Sequence, residues 1–580
     1  MKCVMLLIRC LVVFLLLSIC IGGVAWRQDM LGVPMTTKDA VLAAPTGLVK
    51  RVGDRSVILH WDPLVDSHLA GYYVYRVPSL TGLLEQPRGL LLTNHFVDFE
   101  VENGLTYHYW VRAVNTTGQE SHDSATISAT PRKLNDEAFL DLVQHTAFDY
   151  FWYETNAQNG LIKDRSSDTS VSSIAAVGFG LSALTVGIDR GWISRQAGQD
   201  RVLTTLEFLW NSPQGPEIDA TGYKGFYYHF LDMQTGRRVR GSELSSIDTA
   251  LLLGGVLHVQ QYFDQPNITE AKIRALANDL YRRVEWSWMQ VRLAKICHGW
   301  TPETGFLPYD WGGYNEAMIL YLLALGSPTF PISANAWAAW TSSYVWQTHY
   351  GQAFIVFPPL FGHQYSHVWI DFRGIQDAYM RDKGLDYFEN SRRATLANRA
   401  YAIANPHGWA DYGENVWGLT ASDIPSSYSA RGAPPPERDD GTITPTAAGG
   451  SFAFTPHESL AALRYMYATY RMRLWGPYGF KDAFNPTQKW FATDYLAIDQ
   501  GPIVLMIENY RTGRIWHVFM QHMAIQRGLE RAGFAPVPAG RIHTVPDTAP
   551  HPLQPVVQPA HSGTAPHTPH PVTPLAQQRS

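Results

Sequence analysis

Acidic residues recur at, or just before, the starts of apolar segments in this chain. Glu316 heads the segment GGYNEAMILYLLALGS (312–327), and Asp499 lies in AIDQGPIVLMIENY (497–510). The others are Glu243 and Asp248 in GSELSSIDTALLLGG (241–255), and Asp164 and Asp168 ahead of SSIAAVGFGLSAL (172–184). A carboxylate near a helix start is stabilised by the helix dipole and by unpaired N–H groups, so each acid taken alone is readily explained as a cap. Their coincidence with aromatic residues is what suggests chemistry.

Aromatic and polar residues crowd two stretches that we predict to be loops. These are GHQYSHVWIDFRG (362–374) and HGWADYGENVWGLTASD (407–423), and both are poor in lysine. Trp311 and Tyr314 flank Glu316, and aromatics make up 13% of the chain, with 19 Trp and 29 Tyr. Aromatic rings stack on the apolar C–H faces of sugars, although a Trp-rich core would give the same composition. The pattern therefore favours a carbohydrate cleft. Its candidate lining residues are Asp164, Trp311, Tyr314, Tyr365, His367, Trp369, Asp371, Arg373, Trp417 and Asp423.

Two of the acids suit glycoside cleavage. This reaction needs one protonated carboxyl for the leaving oxygen and a second, ionised carboxylate to activate water or attack carbon. The first must be partly desolvated so that its pKa rises. Glu316 fits this role because an apolar run follows it. Asp499 precedes Gln500-Gly501-Pro502, where we expect water to reach it.

The segments around these acids have helical periodicity from residue 134 onwards. Some are apolar on nearly every face and others carry charge on one side, so inner helices must be enclosed by outer ones. About twelve helices over some 400 residues predict a mainly α fold, an (α/α)6 barrel spanning residues 134–535. In such a barrel the starts of the inner helices converge on one face and bring their acids together. A helical solenoid is the alternative, but no fixed sequence period supports it.

Residues 43–132 read as a separate β-sandwich. SVILHW (56–61), GYYVYRV (71–77) and TYHYWVRAVN (106–115) are β-rich stretches separated by turn residues. The segment resembles a fibronectin type III domain, on Pro45 and Leu48, Trp61 on the second strand, and Tyr107 at the tyrosine-corner position. A spacer or docking role is favoured over a carbohydrate- or partner-binding one.

The two ends of the chain predict export and a disordered tail. Residues 1–25 have Lys2 and Arg9, an apolar run and a small-residue Gly23-Val24-Ala25 site, as a secretory signal peptide does. The alternatives are a retained membrane anchor or a lipoprotein signal at Cys20. Cleavage would leave Cys297 as the one cysteine, so no internal disulfide is expected. Residues 536–580 are rich in Pro, His and Thr, which predicts disorder.

Charge and composition restrict the kinds of binding partner that we expect. The net charge is -5 and there is no basic stripe, so a nucleic-acid partner is not expected. A glucan chain is the expected partner. We also expect a monomer, a membrane contact only if Cys20 is lipidated, and no metal or other cofactor.

With these residues in view, residues 134–533 resemble the glycoamylase-like domain of glycoside hydrolase family 144. The resemblance rests on several motifs in one order: GYKGFYYHFLD, SELSSIDTALLLGG, GYNEAMILYLLALGSP, QYSHVWIDFRGIQD, WGLTASD and GPIVLMIENYRTG. It implies β-1,2-glucan hydrolysis on an (α/α)6 barrel without a metal cofactor.

The same resemblance implies roles for individual acids. Glu316 would be the general acid. Asp499 would be the base of an inverting reaction, with Asp494, Asp423 and Asp411 as competitors. Glu243 and Asp248 would hold sugar hydroxyls, or one of them would be a nucleophile if the mechanism retains configuration.

Rival interpretations stay open at this point. A phosphorylase or lyase on the same fold would need more basic residues than Arg165 and Arg373 provide near the candidate acids. A non-catalytic glycan-binding protein of an uptake system would keep the aromatics without needing both Glu316 and Asp499. The sequence does not choose between endo and exo cleavage.

Overall fold

The computed structural model describes residues 41–78, 87–434 and 438–537. The predicted signal peptide, the possible lipidation site and almost all of the predicted tail lie outside these residues. Within the described ranges, no helix is both long and apolar enough to cross a membrane.

Two antiparallel sheets form the first part of the chain and share one apolar cluster. One sheet has the order β1-β2-β5 and the other β4-β3-β6-β7. Trp61 and Tyr109 are fully buried in the shared cluster, and the Tyr107 hydroxyl accepts the backbone N–H of Glu102 at 3.0 Å. The strands are β1 (Val49–Gly53), β2 (Ser56–His60), β3 (Leu69–Val77), β4 (Arg88–Leu91), β5 (His95–Asp98), β6 (Tyr107–Asn115) and β7 (Ile127–Ala129). Three of them lie within two residues of the segments predicted from sequence.

The rest of the described chain is mostly helical. The longer helices are α1 (Asp136–Tyr153), α2 (Ile174–Asp189), α3 (Arg195–Asn211), α4 (Ser246–Tyr262), α5 (Ile268–Arg282), α10 (Tyr387–Ala404), α12 (Pro456–Leu474) and α13 (Ala497–Thr512). The shorter ones are α6 (Met318–Gly326), α7 (Ala336–Thr341), α8 (Phe361–Trp369), α9 (Ala378–Lys383), α11 (Pro445–Gly449), α14 (Arg514–Phe519) and α15 (Met523–Arg531).

Helices that are apolar on nearly every face contact one another in sequence order. Helix α2 packs on α4, α4 on α6, α11 on α13, and α13 back on α2. Helix α8 links α6 to α11, because Ser366 accepts the N–H of Ile319 and Gln364 donates to the carbonyl of Ala447. Gly178 of α2 allows a close approach to α4, since a Cβ there would meet the backbone of Leu251. Helices α1, α3, α5, α10, α12 and α15 pack outside this series.

Short strands precede or connect these helices and fix the positions of the acids. Strand β8 leads directly into α2, and β12 leads into α4. The remaining pairs are antiparallel, and a five-stranded sheet has the order β14-β13-β12-β10-β9. These strands are β8 (Ser172–Ser173), β9 (Gly222–Tyr223), β10 (Phe226–Tyr228), β11 (Phe230–Leu231), β12 (Leu244–Ser245), β13 (Gly299–Thr301), β14 (Gly305–Phe306), β15 (Trp346–His349), β16 (Gln352–Ile355), β17 (Ile375–Gln376), β18 (Ala421–Ile424), β19 (Ser427–Ala430), β20 (Trp475–Gly476), β21 (Gly479–Phe480), β22 (Phe484–Asn485), β23 (Trp490–Phe491) and β24 (Ala535–Pro536).

One predicted loop is a helix. Residues 362–374 were expected to be irregular because of their polar and aromatic residues, but helix α8 occupies most of the segment. The loop prediction was wrong because Tyr365, Val368 and Trp369 recur at helical spacing and are buried together. Residues 407–423 are largely irregular, as predicted.

The first sheet is joined to the helical part through charged and apolar contacts. Arg51 of β1 donates two hydrogen bonds, of 2.9 and 2.8 Å, to the buried carboxylate of Asp149 in α1. His60 stacks on Tyr153 with 4.5 Å between ring centres. Burial raises the pKa of Asp149 to about 6, although the Arg51 guanidinium opposes the rise.

Candidate active site

Glu316 lies in the turn that leads into α6. Ser366 of α8 fixes this turn, because its hydroxyl donates to the carbonyl of Glu316 at 2.7 Å and accepts the N–H of Ile319 at 3.0 Å. The residue is 5% exposed. Burial raises the pKa of its carboxyl to about 7, and the nearby Asp248 carboxylate adds to the rise. Glu316 can therefore hold a proton at neutral pH, as a general acid must.

The aromatic residues beside Glu316 form buried walls. The Trp311 indole donates to Ser246 at 3.0 Å and stacks on His298, while the Tyr314 hydroxyl shares a hydrogen bond with Ser391. Both rings are about nine-tenths buried or more. They support the turn of Glu316, and their contact with substrate stays a prediction.

His229 lies between two of the predicted acids. Its Nδ1 is 3.0 Å from Glu243 Oε1, and its Nε2 is 3.6 Å from Asp248 Oδ1. Burial alone would lower the pKa of His229, but the carboxylates of Asp248 and Glu243 outweigh it and raise the pKa to about 9. The imidazole is thus a cation at neutral pH. These three side chains are also spaced closely enough to hold a metal ion, and the protonated ring balances one of the two carboxylate charges.

Asp499 lies in the first turn of α13 and differs from its sequence-based interpretation. We expected water to reach an ionised carboxylate, but the residue is 3% exposed. Burial, together with the neighbouring Asp482, raises the pKa of Asp499 well above its ordinary value. Burial and the Asp423 carboxylate also raise the pKa of Asp482, to about 7. The expectation was wrong because the segment that holds Asp482 packs on this helix start, where the carbonyl of Phe480 accepts a hydrogen bond from Gln500 at 2.9 Å.

The competitors of Asp499 are already engaged. Arg165 pairs with Asp423 at 3.3 Å and with Asp494 at 3.1 Å. Asp411 accepts the hydroxyl of Tyr470, a residue of the outer helix α12, at 2.7 Å. An acid held by a guanidinium or facing an outer helix is a poorer base than one with a free oxygen.

A cavity of about 480 Å³ opens beside the Arg165 cluster. It lies between the β18–β19 hairpin and strand β23, and it is walled by aromatic rings, hydroxyls and charged groups, as a sugar site is. Its lining residues include Arg165, Asp423, Tyr428, Trp490, Phe491 and Asp494.

The acids at the helix starts share one end of the helical layer. The hydroxyl of Tyr365 in α8 lies near Glu316, Asp248 and Asp499. Burial raises the pKa of Tyr365 well above its ordinary value, and these carboxylates add to the rise. Asp164 precedes α2, and its carboxylate contributes to the raised pKa of Asp248 and to that of Asp499. Its backbone carbonyl accepts the N–H of Ala497 at 3.0 Å. Asp168 lies in the same connection, in an irregular stretch before α2.

Three predicted cleft residues belong to the core. Trp369 is fully buried, stacks on Phe179 and donates to Ser182. His367 and Trp417 are also fully buried. Two of these three lie on α8, which directs that face of the helix inward. Their assignment to the cleft was wrong.

Asp371 and Arg373 lie beyond the carboxyl end of α8. They pair with each other at 2.7 Å, and the Arg373 guanidinium stacks on Trp516 of α14, which follows the end of α13. Both residues are therefore at the end of α13 opposite Asp499, and their assignment to the cleft was also wrong. The prediction failed because helix α8, at residues 361–369, carries the chain across the helical layer and away from Asp499.

Three residues of this site were missed by the sequence analysis. His229 lies inside the quoted motif GYKGFYYHFLD, between β10 and β11, and Glu243 directly precedes β12, which pairs with β10. Asp482 lies in an unremarkable turn, so no local pattern identifies it. Tyr428 lies on strand β19, where the sequence has no distinguishing motif.

Comparison with known proteins identifies the family. The glycoamylase family model, described as "Putative glucoamylase", matches residues 308–523. An exo β-1,2-glucooligosaccharide sophorohydrolase (non-reducing end) of Parabacteroides distasonis is 34% identical over 530 residues, which is 85% of this chain and 71% of the relative.

Solved structures support the same family relationship. The crystal structure of a β-1,2-glucanase from Parabacteroides distasonis has a TM-score of 0.77 at 33% identity and covers 85% of this chain and 73% of its own. An endo-β-1,2-glucanase from Chitinophaga pinensis, in complex with sophorotriose and glucose, has a TM-score of 0.65 at 33% identity, with 69% and 99% covered.

These relatives are glycoside hydrolases, and the protein is an enzyme of the same class. The chain belongs to glycoside hydrolase family 144, the glycoamylase-like family of β-1,2-glucanases and sophorohydrolases.

Proposed function

We propose that this chain hydrolyses β-1,2-glucan, with Glu316 as the general acid and Asp499 as the base of an inverting reaction. The observation that carries the proposal is the environment of Glu316, where burial raises the pKa of the carboxyl to about 7 beside other acids. The named activities of the relatives support the substrate.

The proposed reaction moves one proton at each side of the sugar. The Glu316 O–H protonates the glycosidic oxygen as the bond from that oxygen to the anomeric carbon breaks. Water attacks the anomeric carbon from the opposite face and gives up a proton towards Asp499, directly or through a substrate hydroxyl. The products are two shorter saccharides, and solvent restores the starting protonation of both acids.

The other charged groups would bind sugar hydroxyls. The His229 cation holds Glu243 and Asp248 in place, and both carboxylates can accept hydrogen bonds from hydroxyls near Glu316. Arg165 and Asp423 offer the same chemistry in the cavity. Because the pairs are prearranged, little ordering is needed when the glucan binds.

We further propose that the helical part is an (α/α)6 barrel and that residues 43–132 form a fibronectin type III-like sandwich. The series of contacts from α2 through α4, α6, α8, α11 and α13 back to α2 supports the barrel. The two antiparallel sheets over one apolar cluster support the sandwich.

The test is hydrolysis of linear β-1,2-glucan by the wild type and by Glu316→Gln. We expect new reducing ends from the wild type and a loss of about 10²–10⁴-fold in kcat for the variant, with an unchanged circular dichroism spectrum. Full activity in the variant would end the assignment of the acid, and an inactive wild type on this glucan would end the substrate proposal.

Product analysis separates the two modes of cleavage found among the relatives. A lone disaccharide from the first minutes of reaction means exo action, as in the Parabacteroides relative, and a ladder of oligosaccharides means endo action, as in the Chitinophaga enzyme. The anomeric form of the first product, followed by NMR, tests inversion.

A further inference from the structure

Asp482 and Asp499 form a buried pair of carboxyl groups. Asp482 lies in the turn between β21 and β22 and is 2% exposed. Its Oδ2 accepts the backbone N–H of Asp423 at 2.6 Å. Its Oδ1 and the Oδ2 of Asp499 are both buried, and neither has a hydrogen-bond partner among the described groups that carry a fixed donor. The two carboxyl groups lie close enough to share a hydrogen bond when one of them carries a proton.

A hydrogen bond between two carboxyl groups requires a proton between them. Two ionised carboxylates within hydrogen-bonding reach of each other would repel strongly, and burial makes that repulsion larger. Among the described residues, no Lys or Arg forms an ion pair with either acid, because the nearby Arg165 pairs with Asp423 and Asp494. The pair must therefore keep one proton near neutral pH.

The other charged groups that face the pair do not remove this need. Asp423 on β18 and Asp164 before α2 add negative charge, and Arg165 offsets part of it. Tyr365 approaches Asp499 from α8 as a neutral hydroxyl. The surroundings favour a pair that carries one proton and a single negative charge.

We propose that Asp482 is a positioning residue that shares one proton with Asp499 and so sets the protonation of the catalytic base. The catalytic part of this inference rests on the proposed function, whereas the shared proton is a property of the free protein. As water gives its proton to Asp499, the shared proton moves along the hydrogen bond to Asp482. The pair gains one proton in total, becomes neutral, and returns that proton to solvent after the bond is cleaved.

The shared proton can be observed without substrate by infrared titration of the carboxyl groups. In the wild type we expect the pair to lose two protons in two separate steps as the pH rises. Asp482→Asn and Asp499→Asn should each leave a single step. Glu508→Gln, which changes a buried acid at the other end of α13, should keep both steps.

Two outcomes would overturn the shared proton. The first is an Asp482→Asn variant with the wild-type titration. The second is an Asp499→Asn variant that still shows both titration steps of the wild type. This second result decides the question even if the Asp482 variant does not fold.

Kinetics test the positioning role. For Asp482→Asn we expect kcat to fall about 10–100-fold with KM within about threefold, because substrate contacts are kept and proton transfer is impaired. Glu508→Gln should change kcat by less than about twofold. An unchanged kcat in the Asp482 variant would make the residue merely structural. A Glu316→Gln variant with full activity would instead refute the proposed function and leave the infrared result standing.

Discussion

The two ends of helix α13 carry buried acids in opposite electrostatic surroundings. At the start, Asp499 has a second carboxyl, Asp482, as its neighbour and no ion pair with Lys or Arg in the part of the chain described. At the end, Glu508 accepts hydrogen bonds from Arg190, Gln144 and Thr512. Both acids are about equally buried. The protein therefore stabilises one buried charge and leaves the other uncompensated.

The same contrast extends over the helical layer. Near the helix starts, burial and neighbouring carboxylates raise the pKa values of Glu316, Asp482 and Asp499. At the far end, Asp371 pairs with Arg373 and Asp189 pairs with Arg514. Burial of an acid alone does not indicate function. What distinguishes Glu316, Asp482 and Asp499 is burial without an ion pair to any Lys or Arg in the described part of the chain.

Among these variants, Asp499→Asn should have the largest effect. We expect kcat to fall by about 10²–10⁴-fold, since the proposed base is lost, while the amide can still donate a hydrogen bond to Asp482 and keep the fold. Initial rates on β-1,2-glucan and thermal unfolding measure the two effects. A change confined to KM would make Asp499 a substrate-binding residue.

The pH dependence of the reaction rate tests the raised pKa of Glu316. A general acid must be protonated, and burial raises the pKa of this carboxyl to about 7. We therefore expect kcat/KM to fall about tenfold for each pH unit above pH 7 or so, as the protonated fraction decreases. Rates measured between pH 5 and 9, with a check of the fold at each pH, give the answer. A flat profile through pH 8 would exclude this carboxyl as the rate-controlling acid.

Glu508→Gln probes the compensated end of the helix. Removing the charge weakens the hydrogen bond from Arg190, so we expect the free energy of unfolding to fall by about 2 kcal/mol. The activity per folded molecule should stay within about twofold. Denaturant unfolding combined with active-site kinetics would show whether stability and activity separate in this way.

Arg373→Met should have the smallest effect. Its ion pair with Asp371 is half exposed, and the guanidinium stacks on Trp516 far from Asp499. We expect a loss of less than about 1 kcal/mol in unfolding free energy and unchanged kinetics. A marked rise in KM would return this residue to the substrate site.

The sequence predicted the elements better than the surroundings of each side chain. The strands at residues 56–60 and 107–115 and the long helices follow from periodicity, because period 2 and period 3.6 are local properties. Glu316 could be selected from sequence, since the apolar run after it predicts burial.

The errors concern contacts between distant segments. Asp482 and Asp499 are 17 positions apart in unrelated elements, so no local pattern shows that their carboxyls meet. Trp369 and Asp371 were placed together in one loop, whereas a helix buries the first and carries the second to the opposite end. Polar and aromatic composition alone did not distinguish a cleft from a core.

The Arg51–Asp149 contact makes the first sheet part of the support for the enzyme. Without β1, the Asp149 carboxylate would stay buried with its guanidinium partner gone, at a cost of about 3–5 kcal/mol. Removing the whole sheet would also take Ile58 of β2 out of the apolar cluster that it shares with α1. The two parts of the chain should therefore melt together in a single calorimetric transition, and an enzyme trimmed to its helices should be recovered mainly as insoluble protein.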